Sequence, residues 1–273
     1  MPRFLIGALL GVFIYQGLTA QAEKTPVAHP FLAAVAQGAA LPRTNQANPA
    51  RVRQLCETDH IALLTWALQN YESRIQDYRL TLNTQERIGG KLLPEQQIRV
   101  SFKEQPFSVL MQWQENPQRI DKLLYVEGQN GGKMIVHPSG MLGFIKSVRR
   151  SPLDEDVRKS SLRTPDQFGF KRSMQSMLAV YQDAARKNDL QTRCLGDSVV
   201  DGRPCVILER LLPAKPEYPF ARLVIDFDTG YLLPARVTAY DWQGNLISRY
   251  TFTNLEFNLG LTSEMFIPKA NNL

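Results

Sequence analysis

The sequence predicts a mainly β fold with some helix (α+β): a curved, half-open antiparallel β-barrel of about eleven strands with two helices on its concave face. Three observations predict it. Apolar and polar residues alternate with a period of two over most of the chain, the signature of strands that bury one face only. Turn signals such as Gly89-Gly90, Asn116-Pro117 and Asn130-Gly131-Gly132 keep those strands short and sequential. Only two stretches carry a strong helical period, too few to cover both faces of so large a sheet, so the economical arrangement bends the sheet around the helices.

The chain opens MPRFLIGALLGVFIYQGLTAQAEKTP. One Arg, a short apolar core and Ala20-Gln21-Ala22 predict a cleavable signal peptide over residues 1–22 and export to the periplasm. Gln16 and the small-residue exit make the apolar run too short for a membrane anchor, and no cysteine follows where a lipoprotein signal needs one. Residues 23–50 have the composition of a flexible linker, and residues 51–273 are expected to form a single half-barrel domain.

From Thr58, residues Ile61, Leu64, Leu68, Tyr71 and Ile75 fall on one face of a helix. The period then changes to two. Tyr78, Leu80 and Leu82 alternate with polar residues, as do Ile98, Val100 and Phe102, and the runs FSVLMQWQ, RIDKLLYVEG, KMIVHP and LGFIKSV continue the meander. The polar segment 146–163 predicts a charged loop crossing. Thr164-Pro165 then marks the start of a second helix over about 166–187, with Phe170, Met174, Met177, Leu178, Tyr181 and Ala185 along its buried stripe. Strands resume over about 190–200, 203–212, 220–227, 232–240 and 246–257, interrupted by the proline-rich LLPAKPEYPF, which is barred from a central strand.

Three cysteines in an exported chain allow one disulfide. A two-residue turn at Asp201-Gly202 sets Val200 opposite Arg203, Ser198 opposite Cys205 and Cys194 opposite Glu209. Cys194 and Cys205 are then roughly 13 Å out of step at about 3.3 Å per residue, too far to bond, so Cys56 is expected to pair with Cys194 or Cys205.

Catalytic and metal chemistry is sparse. The histidines, His29, His60 and His137, are scattered, and no H-x-x-x-H or C-x-x-C occurs, so no metal or cofactor is expected. Asp154 and Asp156 sit in a mixed-charge loop, and Asp226 and Asp228 flank a turn at Thr229-Gly230, where a capping role is the ordinary one. The formal charge of +6 suits an anionic membrane surface, and the absence of a basic stripe with interleaved aromatics excludes a nucleic-acid partner. No catalytic residue is assigned, and an enzyme is not expected.

The blocks YESRIQDYRLTLNTQERIGGKLLPEQQIRVSFKEQPFSVLMQW, YVEGQNGGKMIVHP, DGRPCVILE and IDFDTGYLLPARVTAYDWQGNLISRYTFTNLEFNLGLTSEMF resemble, in order and spacing, a secreted bacterial domain family of undefined function. That family is similar in fold to the LolA/LolB lipoprotein carriers. The resemblance implies an incomplete antiparallel barrel whose apolar hollow is covered by helices and holds acyl chains.

The expected function is therefore non-enzymatic binding, in the periplasm, of a lipid, an acyl chain or a lipoprotein partner. Strand alternation nominates Leu80, Leu82, Val100, Phe102, Val109, Met111, Trp113, Ile225, Phe227 and Phe252 as the inner wall, with Met177 and Tyr181 of the second helix as a lid. The alternative is a cell-envelope interaction or structural module with a filled core, using its rim or the loop 146–163 to hold an envelope protein or an anionic surface. A monomer is expected.

Overall fold

In β1 (Asp77–Ile88) every second side chain from Tyr78 to Thr84 is buried, so one face of this strand turns inward over its first eight residues. The computed structural model describes residues 48–140 and 147–273. The expected signal peptide, most of the expected linker, and most of the expected strand LGFIKSV lie outside the described residues.

After β1 come the two-residue β2 (Lys91–Leu92), β3 (Gln96–Lys103), β4 (Ser108–Glu115), β5 (Ile120–Val126), β6 (Met134–Pro138) and β7 (Val148–Arg150). The second series is β8 (Gln191–Val200), β9 (Arg203–Leu211), β10 (Arg222–Asp228), β11 (Leu233–Tyr240) and β12 (Leu246–Phe257). They form one 12-stranded antiparallel sheet in the order β7-β6-β5-β4-β3-β1-β12-β11-β10-β9-β8, with β2 paired to β1. Two meanders are thus joined where β1 pairs with β12, and the sheet ends in two edges, β7 and β8, as a half-open barrel. The small β2 is the strand beyond the eleven expected from sequence.

Helix α1 (Pro49–Thr58) was not among the two predicted helices. Its start is well encoded: Asn48 Oδ1 accepts the amides of Ala50 and Arg51, and Pro49 occupies the first turn. Its apolar face is not, because only Val52 and Cys56 are buried. The Cys56–Cys194 disulfide, with Cα atoms 5.3 Å apart, ties it to the sheet. Cys205 stays free, and burial pushes its thiol up to about 12.

Helix α2 (His60–Arg74) is capped by Asp59. It buries His60, Leu63, Leu64, Ala67 and Tyr71, a broader face than the predicted stripe, because it packs against both α1 and α4 while its apolar side chains join those of the sheet in one core. Ile61 and Leu68 lie at its half-buried margin.

The loop crossing contains one turn of helix, α3 (Glu155–Arg158). Helix α4 (Phe170–Arg186) begins four residues later than the predicted start at 166. Pro165–Gln167 forms only a 3₁₀ turn, and Gly169 at φ 107° breaks the path between them. A Cβ on Gly169 would sit 3.0 Å from the Phe102 ring, so glycine is required there by both its backbone angle and its neighbour. The helix buries Ala184, while the predicted Ala185 is exposed.

The Asp201-Gly202 hairpin holds Val200 opposite Arg203 and Ser198 opposite Cys205, as expected, but Cys194 lies opposite Leu208, not Glu209. A bulge between Cys194 and Asp197, with Gly196 at φ 99°, absorbs the difference. On the convex side, Leu261 and Phe266 of the chain end cover Leu110, Leu124 and Val126.

Buried polar atoms collect where α2, α4 and β9 meet. His60 Nε2 donates to the Cys56 carbonyl at 2.7 Å, its ring lies 6.1 Å from that of Tyr181, and the Arg210 guanidinium sits 5.2 Å from the Tyr181 ring centre. His60 Nδ1, Tyr181 Oη and Arg210 Nε have no hydrogen-bond partner among the described residues. Burial pulls the His60 pKa below the ordinary value of about 6.5, with the Cys56 carbonyl and Asp59 opposing. The folded state then binds fewer protons than the unfolded chain between the two values, so this group's contribution to stability is lost as pH falls below about 6.5. Urea unfolding should show the advantage of the wild type over His60→Gln at its largest above that pH and shrinking toward pH 5. A difference that stays constant across this range would show that the imidazole is not held neutral by the fold.

Candidate functional site

The inner face of β1 changes character along its length. Tyr78, Leu80 and Leu82 are apolar, Thr84 is intermediate, and Glu86 is ionic, yet all five line one cavity of about 780 Å³. Strands β3 to β7, β11, β12 and the first turns of α4 complete its walls. The deep wall is apolar: Ile98, Met111, Leu123, Met134, Val136 and Phe252 face it together with Met177. Segment 156–168 roofs it, running from β7 at one sheet edge back to β1 and β12.

Glu86 fastens that roof. Its Oε2 accepts the Ser161 hydroxyl at 3.1 Å and the Leu162 amide at 3.2 Å, and its Oε1 accepts the Tyr250 hydroxyl at 2.5 Å. Arg163 lies 5.6 Å from the centre of the Tyr250 ring and donates to Ser173 Oγ of α4. Burial, and next the Glu86 charge, drive the Tyr250 pKa well above its ordinary value, so the phenol stays a neutral donor.

The nominated wall residues divide into two groups. Leu80, Leu82, Met111, Trp113, Met177 and Phe252 line the cavity. Val100, Phe102 and Val109 are buried away from it: Phe102 stacks on Tyr78 at 4.7 Å and packs edge-on against Phe107, with Phe168 at 6.0 Å. Ile225, Phe227 and Tyr181 are fully buried in the continuous core that the helices share with the sheet. The second helix therefore contributes Met177, but not Tyr181, to the cavity. One end of the hollow is packed solid by helices and aromatic rings, and the other end is open space.

Ile98, Leu123, Met134 and Val136 were missed as wall residues, although the alternation that nominates Val100 and Met111 applies to them. Glu86, Lys91, Arg119 and Arg163 carried no local signal, because what brings them together is the curvature of the sheet and the path of the roof.

The other reactive side chains are engaged structurally. His137 Nδ1 pairs with Asp121 at 2.7 Å, and Asp154 and Asp156 both contact Arg150. Asp226 accepts Ser198 and both sides of the Arg236 fork. Asp228 accepts the Gly230 and Tyr231 amides, which is the expected turn-capping role, and pairs with buried Arg203. No group of three His, Cys, Asp or Glu among the described residues could hold a metal, and no helix among them is long and apolar enough to cross a membrane.

The family model described as Protein of unknown function (DUF1571) matches residues 75–273, and the chain belongs to that family. No curated protein matches the sequence. Among solved structures, the chain is similar to the Mycobacterium tuberculosis lipoprotein LppX, at 13% identity over 72% of this chain and 97% of that one, with a TM-score of 0.42. It is also similar to a LolA superfamily protein from Nitrosomonas europaea, at 10% identity, 76% and 98% coverage and a TM-score of 0.32. The Pseudomonas aeruginosa MucA/MucB complex contains a third similar chain, at 14% identity and a TM-score of 0.44; 76% of this chain is covered, and it spans 60% of that one.

Removing the carboxylate that three donors share should free the roof. Hydrogen bonds to a charged acceptor contribute about 1.5–3 kcal/mol each, so Glu86→Ala should speed amide exchange across residues 156–168 by roughly tenfold or more, with β3 to β5 unchanged. Equal exchange in both proteins would mean that the roof is held by other contacts.

Proposed function

We propose that this DUF1571 protein is exported to the periplasm by its leader, residues 1–22, and uses a single domain spanning 51–273, beyond a linker over 23–50, to hold the acyl chain of a lipid or of a lipid-modified partner without covalent chemistry. The observation that carries the reading is the cavity itself: about 780 Å³, within the size range of small-molecule sites, with a mainly apolar interior and its charged groups at the roof and rim. A dry core would close such a space, since interiors pack to crystal-like density. Leu80, Leu82, Met111, Trp113, Met177 and Phe252 are the side chains that would touch the chain, and the methionines can adjust to its shape.

The competing reading, an envelope interaction module with a filled core, draws on exposed apolar residues outside the cavity such as Leu153 and Val199. Lipid extraction of the purified protein followed by mass spectrometry separates the two. An acyl-bearing lipid should co-purify with the wild type and be absent from Met111→Glu, which should remain folded because its carboxylate can be hydrated from the cavity. Ile225→Glu, placed in the solid half, should fail to fold, since a buried unpaired carboxylate costs more than a marginal domain can absorb. No co-purifying lipid, or unfolding of both variants alike, would favour the filled core.

A further inference from the structure

We infer that the cavity selects amphiphiles with an anionic headgroup, a carboxylate or a phosphate; this rests on the acyl-chain reading above and adds the class of head to it. Five cations line the cavity, Lys91, Arg119, Arg150, Lys159 and Arg163, against two carboxylates, Glu86 and Asp156. Two of the five are already neutralised, Arg150 by Asp154 and Asp156 and Lys159 by Glu155. Glu86 has three uncharged donors, so its charge still offsets one of the remaining three cations and leaves an excess of two. Among the described residues the Arg163 side chain meets a hydroxyl and an aromatic face, and the side chains of Lys91 and Arg119 make no hydrogen bond or ion pair, their backbones alone being paired. Three cations therefore remain without a carboxylate partner.

They sit where a headgroup would be. Lys91 stands on the β1–β2 hairpin and Arg119 in the turn between β4 and β5, both exposed. The two segments are fixed together: Asn116 Nδ2 donates to the Glu95 carbonyl at 2.7 Å and Gln96 Nε2 donates to the Asn116 carbonyl at 2.9 Å. Arg163 enters from the roof. The inner face of β1 runs from apolar Tyr78 through Thr84 to Glu86 at this end, where the cations outnumber that carboxylate, so a tail seated against Leu80 and Leu82 leaves its head among them. The tail supplies the apolar burial and the charge supplies the choice between heads.

The test uses the full-length purified protein loaded with the neutral dye Nile red, displaced at pH 8 by dodecanoate, by dodecanol or by inorganic phosphate. Dodecanoate should displace the dye at roughly tenfold lower concentration than dodecanol in low salt, and the ratio should fall toward one as ionic strength rises from about 0.01 to 1 M. In a Lys91→Gln, Arg119→Gln double variant the ratio should fall at least about threefold in low salt. Equal displacement by acid and alcohol, independent of salt, would overturn the headgroup inference while leaving the acyl-chain reading intact. Displacement by neither amphiphile would overturn both. Phosphate alone should not displace the dye, and displacement by it at the same concentration as dodecanoate would mark a free-anion site and overturn the amphiphile.

Discussion

The antiparallel ladder between β1 and β12 is the constraint on which the rest of this structure depends. It joins two sequential meanders that would otherwise be separate sheets, and it pairs the segment beginning at Asp77 with the segment ending at Phe257. The buried Asp77 carboxylate reinforces the join by accepting the amides of Leu259, Gly260 and Leu261 just beyond β12. Because these two strands are central, their inner residues decide what the hollow contains: Leu80, Leu82, Tyr250 and Phe252 all face the cavity. A one-residue slip of β12 along β1 would turn Tyr250 and Phe252 outward and put Thr251 and Thr253 in their place.

A curved sheet with two free edges has more concave area than its helices cover. Helices α1, α2 and most of α4 use their bulk over one part of it, where Tyr181, Ile225 and Phe227 are packed to exclusion of solvent. Beyond Phe168 and Phe170 the gap is crossed by a charged strap that carries only the single turn α3 and a 3₁₀ turn. A strap of polar side chains cannot fill an apolar hollow, so space remains beneath it. The path of this strap over the sheet thus accounts for the space beneath it, and its composition accounts for the polar roof.

Much of this was legible in the sequence because alternation is a local property. Any residue two positions from Leu80 or Met111 shares its face, whatever the rest of the chain does, and both curvature and helix placement follow from counting strands and helices. Three features were not legible. Helix α1 buries too little to announce itself and is anchored by a cysteine 138 residues from its partner. The β8 bulge at Gly196 shifts a register that hairpin counting carries only as far as Ser198. The division of the inner wall into filled and open halves depends on where α4 starts, which Gly169 decides through its contact with Phe102. Alternation shows which side chains point inward; it does not show which of them meet a neighbour there.

The central claim is that an acyl chain occupies the space in front of Trp113, and contact quenching measures this directly. With Trp66 and Trp242 replaced by Phe, Trp113 is the sole indole, and a brominated acyl chain quenches an indole only at close range. Saturable loss of Trp113 emission on adding brominated stearate, with no loss on adding a soluble bromide salt, is the predicted result. Undiminished emission at concentrations that saturate an ordinary lipid-binding protein would contradict the account and leave the hollow without an acyl occupant.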